Sequence, residues 1–253
     1  DFCLSRGLGD VYKRQELGLI LMKLRYQDLI DASYEDLYIV KSIVTSELSE
    51  KLADVLNVNV YNVLTGFKYI SEILNDKSHT NEKLLLAFEE SNGYMVEPFV
   101  RDKDALQIVP LIIKFKNLLY ENNITLKDTL DDIYRTVGHY QNVNLSPVFE
   151  GADGQRKIET IINSFRNKEI HQVCGLDVKA IEDYQLGTIK YIESGKEKAT
   201  YLPNANLIRL IFDEGFIAIR PSGTEPKIKI YFSLNVNNID SLIKEFQETY
   251  IEY

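Results

Sequence analysis

The sequence predicts an α/β protein: a parallel-sheet α/β/α domain followed by a smaller α+β domain with an antiparallel sheet. Three observations carry this. Strand-like and helical runs alternate from residue 16 to about 120, the order that gives a parallel sheet with helices on both faces. Beyond Gly138 the alternation stops, and apolar runs on either side of Asp213-Glu214-Gly215 read as a hairpin. The length, 253 residues, suits one large or two ordinary domains.

Taken in order, Glu16 to Leu29 has apolar residues at helical spacing and opens the first domain. Tyr38 to Val44, rich in β-branched residues, is a strand, and Ser46 suits the cap of a helix from Glu47 to Leu56. Val58 to Val63 is a second strand, Phe67 to Leu74 a short helix and Lys83 to Phe88 a third strand. A long helix follows from about Asp104 to Tyr120, its apolar run interrupted by Pro110, Lys114 and Lys116. Leu126 to Val137 is a helix stopped at Gly138, with Asp131-Asp132 on its solvated face. The second domain begins near His139. It holds a helix from Gly154 to Phe165, short strands and turns through Tyr201, the hairpin Leu207–Phe212 and Phe216–Arg220, a strand Lys227–Leu234 and a last helix from Ile239 to about Ile251.

The first fifteen residues read as foreign. They have no clear period, no signal-peptide core, and resemble an adapter-derived translation at the end of a metagenomic reading frame. Gly7-x-Gly9 is no dinucleotide fingerprint, because no strand precedes it. Native sequence is expected from Glu16 onward.

Composition excludes several classes. The net charge of −9 speaks against nucleic-acid or anionic-membrane partners, though a local basic pocket can still bind a sugar phosphate. No apolar run approaches membrane-spanning length. Cys3 and Cys174 lie far apart, without metal or redox spacing, and fit a reducing cytoplasm. His79, His139 and His171 are scattered, so polar or surface roles are favoured over metal binding.

Ligands of parallel α/β sheets gather at the carboxyl ends of the strands. Two polar segments fall there: Leu64-Thr65-Gly66-Phe67-Lys68 after the second strand, and Glu89-Glu90-Ser91-Asn92-Gly93-Tyr94 after the third. Glu89 and Ser91 suit two vicinal hydroxyls, with Gly93 permitting close approach of a ligand, although a polar strand end would look the same. Arg101-Asp102-Lys103-Asp104 reads equally as a charged helix start. In the second domain, Arg220-Pro221-Ser222-Gly223-Thr224-Glu225-Pro226-Lys227 joins two strands. It offers a guanidinium, two hydroxyls and backbone N–H groups, the donors a phosphate dianion accepts from. On chemistry alone an ordinary polar hairpin loop accounts for it as well.

Together these segments resemble the α-D-phosphohexomutases, and their wording is closest to bacterial phosphoglucomutase/phosphomannomutase. The resemblance runs over most of the chain from Glu16 and implies that residues 16–138 are that family's domain 3 and residues 139–253 its domain 4. It implies that Thr65, Gly66 and Lys68 contact the substrate, that Glu89 and Ser91 select the sugar, and that Asn92 and Tyr94 tune which hexose fits. Lys103 would reach the substrate and assist proton transfer. Arg220, Ser222, Gly223 and Thr224 would hold the phosphate, with Lys229 as a second choice. The family's Thr-x-Ser-His-Asn-Pro nucleophile segment and Asp-x-Asp-x-Asp-Arg Mg²⁺ loop have no match here. The implied function is that of the C-terminal half of an enzyme interconverting hexose 1- and 6-phosphates. Mg²⁺, a hexose bisphosphate activator and domains 1 and 2 belong to the intact protein, and this chain is expected to be inactive alone. A non-catalytic sugar-phosphate binding protein, or a piece of a phosphoglucosamine mutase or phosphopentomutase, are the alternatives.

Overall fold

The structure, a computed structural model, describes residues 13–90, 93–151, 153–167, 169–223 and 225–252. They form two units divided between His139 and Tyr140.

In the first unit, helix α1 (Arg14–Asp31) leads to strand β1 (Leu37–Ser42), α2 (Leu48–Leu56), β2 (Asn59–Val63), α3 (Phe67–Lys77), β3 (Lys83–Glu89), β4 (Gly93–Met95), α4 (Ala105–Glu121) and α5 (Leu126–Val137). The sheet order is β2-β1-β3-β4. β1 pairs parallel to both β2 and β3, as the alternating pattern predicts. β4 is the exception, because it runs antiparallel to β3 and turns the segment after β3 into a hairpin. All of β1 is buried, the mark of a strand covered on both faces. On one face α3 packs Phe67, Ile70 and Leu74 against Tyr38, Val40, Leu84 and Met95. α1 lies against β3, α2 and α5.

Several boundaries move for physical reasons. α1 starts at Arg14, before the expected Glu16, because Gln15 is buried and its Oε1 accepts the Ser46 N–H at 2.5 Å. Residues 14 and 15 therefore belong to this packed unit. α4 runs through Pro110 unbroken, since Pro110 lies on the exposed side, where water can satisfy the carbonyl it leaves without a donor. Asp132 is tied to Lys23 of α1, so it joins two helices where the sequence suggested only a solvated face.

In the second unit, β5 (Gln141–Leu145), α6 (Gly154–Asn167), β6 (Gln172–Val173), β7 (Leu176–Asp177), β8 (Ala180–Asp183), β9 (Thr188–Tyr191), β10 (Glu197–Ala199), β11 (Ile208–Phe212), β12 (Gly215–Pro221), β13 (Ile228–Leu234) and α7 (Ile239–Phe246) precede a π-helical turn, Gln247–Ile251. Seven strands form an antiparallel sheet in the order β10-β9-β8-β11-β12-β13-β5. Its core joins Ile158, Ile162 and Phe165 of α6 and Phe246 of α7 to Leu210, Ile217, Ile219, Ile230 and Phe232 of the sheet. Cys174 sits in the tight β6–β7 turn at φ 46, its thiol pushed up to about 12 by burial and by Glu245. Among the described residues no helix is long and apolar enough to cross a membrane.

Candidate functional site

At the carboxyl ends of β2 and β3, residues far apart in sequence meet. Gly66 caps α3 with φ 123, a conformation L side chains rarely adopt, and this aims its N–H across the sheet end. That N–H donates to Glu89 Oε1 at 2.6 Å. Glu89 ends β3, is 7% exposed and pairs with Gly93 across the hairpin. Thr65, half-buried, directly precedes Gly66. Ser91, Asn92 and Thr224, named from sequence, lie outside the described residues, as does Cys3.

Lys103 lies beside Phe67 and Gly93. Its ammonium lies 5.5 Å from the Phe67 ring centroid and 3.4 Å from Asp102 Oδ1, with half of the side chain exposed. Gly93 leaves room for Phe67 and Lys103: a Cβ added to it would stand 2.9 Å from Phe67 Cε2 and 3.5 Å from Lys103 Cδ. The Tyr94 ring stacks on Phe88 and its hydroxyl donates to the Arg14 carbonyl, so it is held against α1. Burial pushes that phenol above its ordinary range. Lys68 is exposed over the Tyr69 ring and lines a shallow depression with Ser71, Glu72 and Arg101.

In the second unit, Arg220 and Pro221 end β12, and Ser222, Gly223 and residues 225–227 lie between it and β13. Ile217 and Ile219 face the helices, and Pro221 lines a cleft with α6. Strand alternation therefore turns Arg220 to the opposite face. Lys229 is its direct partner on β13, so both cations share that face. The loop is closed by Ser222 N–H donating to the Lys227 carbonyl at 2.8 Å. Lys227 also pairs with Glu225, whose hydrogen bond holds that carboxyl below its ordinary value. Gly223 is exposed, with open space where a side chain would stand.

Sequence reasoning passes over Phe67, which floors Lys103, and over Glu90, buried beside Glu89 and accepting from Ser42 Oγ at 2.9 Å. The available signal for Glu90 is a second acidic residue directly after an apolar strand. Among the described residues no group of three or more His, Cys, Asp or Glu side chains could hold a metal ion.

Residues 15–137 match the family model described as phosphoglucomutase/phosphomannomutase, alpha/beta/alpha domain III. A phosphoglucomutase of Staphylococcus saprophyticus is 53% identical over 241 residues, covering 95% of this chain and 44% of that protein. One from Staphylococcus aureus strain MSSA476 is 44% identical over 235 residues, covering 92% of this chain and 42% of the relative. The chain thus spans less than half the length of these curated relatives. Among solved structures, the open form of parafusin, a Paramecium phosphoglucomutase, aligns with a TM-score of 0.60 at 16% identity, over 93% of this chain and 40% of that one. A Burkholderia thailandensis phosphoglucomutase/phosphomannomutase family protein aligns with a TM-score of 0.58 at 12% identity, over 92% and 41%. At such identities the likeness speaks for the fold alone.

Proposed function

Because the chain belongs to the phosphoglucomutase/phosphomannomutase family, we propose that it supplies the sugar-reading and phosphate-holding half of a cytoplasmic phosphoglucomutase. The reaction is interconversion of glucose 1-phosphate and glucose 6-phosphate, with mannose phosphates as alternative substrates. The observation that carries this reading is the 2.6 Å bond from Gly66 N–H to Glu89, which draws the loops after β2 and β3 into one polar group beside Lys103. Glu89 and Ser91 accept from and donate to vicinal hydroxyls of the hexose, assisted by Thr65 and Lys68. Lys103 contacts the substrate and helps move a hydroxyl proton. Arg220, Lys229 and the Ser222-Gly223-Thr224 loop hold the phosphate that is not reacting, so the sugar can be presented in either of two orientations.

On this reading the phosphoserine and the Mg²⁺ ligands belong to the part of the relatives that the chain does not match, and a hexose bisphosphate primes the enzyme. Phosphoryl transfer depends chiefly on positioning and charge neutralisation. A half that holds only sugar and phosphate therefore binds without turning over. A coupled assay from glucose 1-phosphate, with glucose 1,6-bisphosphate supplied, is expected to give background rates. Turnover clearly above background would overturn the division of labour. Calorimetric titration with glucose 1-phosphate is expected to give weak binding that Arg220→Ala abolishes and Glu89→Ala changes only slightly. Binding retained in Arg220→Ala would mean the phosphate lies elsewhere.

A further inference from the structure

A line of buried and half-buried polar side chains crosses the carboxyl ends of all three parallel strands. Glu90, 5% exposed at the end of β3, accepts from Ser42 Oγ at 2.9 Å on β1. Ser42 Oγ lies 2.9 Å from Thr45 Oγ1, and the Thr45 carbonyl accepts from Lys41 Nζ at 3.2 Å. The Lys41 side chain, with no exposed surface, pairs with Glu50 at 2.7 Å, and Glu50 also accepts from Asn62 Nδ2 at 3.2 Å on β2. Burying the Lys41 ammonium and the Glu90 carboxyl is costly, even though Glu50 itself stays partly exposed. What such a line does provide is a fixed relative position of the groups it connects. Its two ends are the two segments of interest: Asn62 lies three residues before Thr65, and Glu90 directly follows Glu89.

We propose that Ser42 and Glu90 are positioning residues that fix the end of β3 so that Glu89 meets the Gly66 N–H. Glu90 directly follows the last residue of β3. Glu89 is held by the loop after β2, and Glu90 by the end of β1. Two anchors on adjacent residues remove the freedom of the strand end to twist, which one anchor leaves. The inference rests on the reading of Glu89 as the sugar-selecting group for its functional meaning, but not for its geometry.

Amide NMR on the full chain tests it. In the unsubstituted protein the Gly66 amide is expected well downfield, as for a bond to a carboxylate, and to move as Glu89 is protonated in acid. In Ser42→Ala it should lose both features and exchange with solvent about fivefold to tenfold faster, while Ser42→Thr, which restores a hydroxyl, should recover them. The Gly138 amide, bonded to the Tyr134 carbonyl at 2.9 Å, is the control. A general loss of stability accelerates both amides, whereas lost positioning accelerates Gly66 alone. If Ser42→Ala does not fold, Glu90→Gln keeps the volume and removes the charge, and a smaller shift of Gly66 in the same direction is expected. An unmoved Gly66 in whichever variant folds overturns the positioning role. Added glucose 1-phosphate tests the parent reading separately. If it leaves Gly66 and Lys103 unmoved in the unsubstituted protein, the sugar assignment falls while the hydrogen-bond anchor stands.

Discussion

Gln15 shows how much a single polar residue can decide. Its side chain satisfies the buried Ser46 N–H at the start of α2, and Ser46 is itself 1% exposed. Gln15→Ala removes that acceptor, and leaving a buried donor without one costs about 1–3 kcal/mol. Urea denaturation should show that loss, and a change under about 0.5 kcal/mol would mean water replaces the amide. Gly93 tests packing at the site itself. Gly93→Ala places a methyl 2.9 Å from the Phe67 ring, which is 7% exposed and has little room to yield. Overpacking of this kind costs about 1–3 kcal/mol. The variant should melt earlier and displace Lys103, visible as a change in the Phe67 ring resonances; unchanged stability would show that the ring moves freely.

At the scale of elements, α5 depends on its first turn. Thr125 Oγ1 accepts from Asp128 N–H at 3.1 Å, and Asp128 Oδ2 accepts from Thr125 N–H at 2.8 Å, a reciprocal cap. Thr125→Ala should destabilise the chain by about 1 kcal/mol, with Thr125→Ser nearly neutral, as read from denaturation midpoints. A second device joins α3, β2 and the start of β3. Burial works against Glu82's charge, but hydrogen bonds from Lys77, Asn59 and Tyr61 outweigh it and hold its pKa below the ordinary 4.5. Bonds to Glu82 and then Tyr61 raise Lys77 above 10.5. Glu82's contribution is therefore complete above its unfolded pKa and lost as pH falls through the depressed folded value. Lys77's contribution is complete below its unfolded pKa and lost as pH rises through the raised folded value. The melting temperature of Glu82→Gln should accordingly vary less than that of the unsubstituted chain between roughly pH 3 and pH 6. Parallel acid limbs would remove Glu82 from the account.

Across the whole molecule, the two units carry separate cores. One is centred on Tyr38, Val40 and Phe67, the other on Phe165, Ile217 and Phe246. Residues 13–139 and 140–253, expressed separately, are each expected to melt cooperatively, because a domain with its own core can fold alone. Failure of the second unit to fold alone would also bear on Arg220, since its loop would then require the first unit. The sheets differ in kind. The first unit's three parallel strands present loops at one end, where Gly66 and Glu89 sit. The second unit's antiparallel ladder sets Arg220 beside Lys229 by register.

The amino-acid pattern by itself determined the class of each half, most element positions and the segments that would bear polar groups. Those properties are local: apolar period, turn chemistry and strand–helix order are written in adjacent residues. The span of α5 was legible because Gly138 marks its end, whereas the Thr125 cap at its start was not singled out. Contacts across distance were not legible. Nothing near Gly93 in sequence says that Phe67 fills the space above it, nothing near Tyr94 that α1 takes its hydroxyl, and the three-residue β4 is too short to show a period. Nothing near Gln15 in sequence says that its side chain meets Ser46, 31 residues away. Only the tertiary structure decided which of the polar residues meet. It set Glu89 on Gly66, Glu90 on Ser42 and Arg220 beside Lys229, because strand register and helix packing, not sequence spacing, fix distances between segments far apart in the chain.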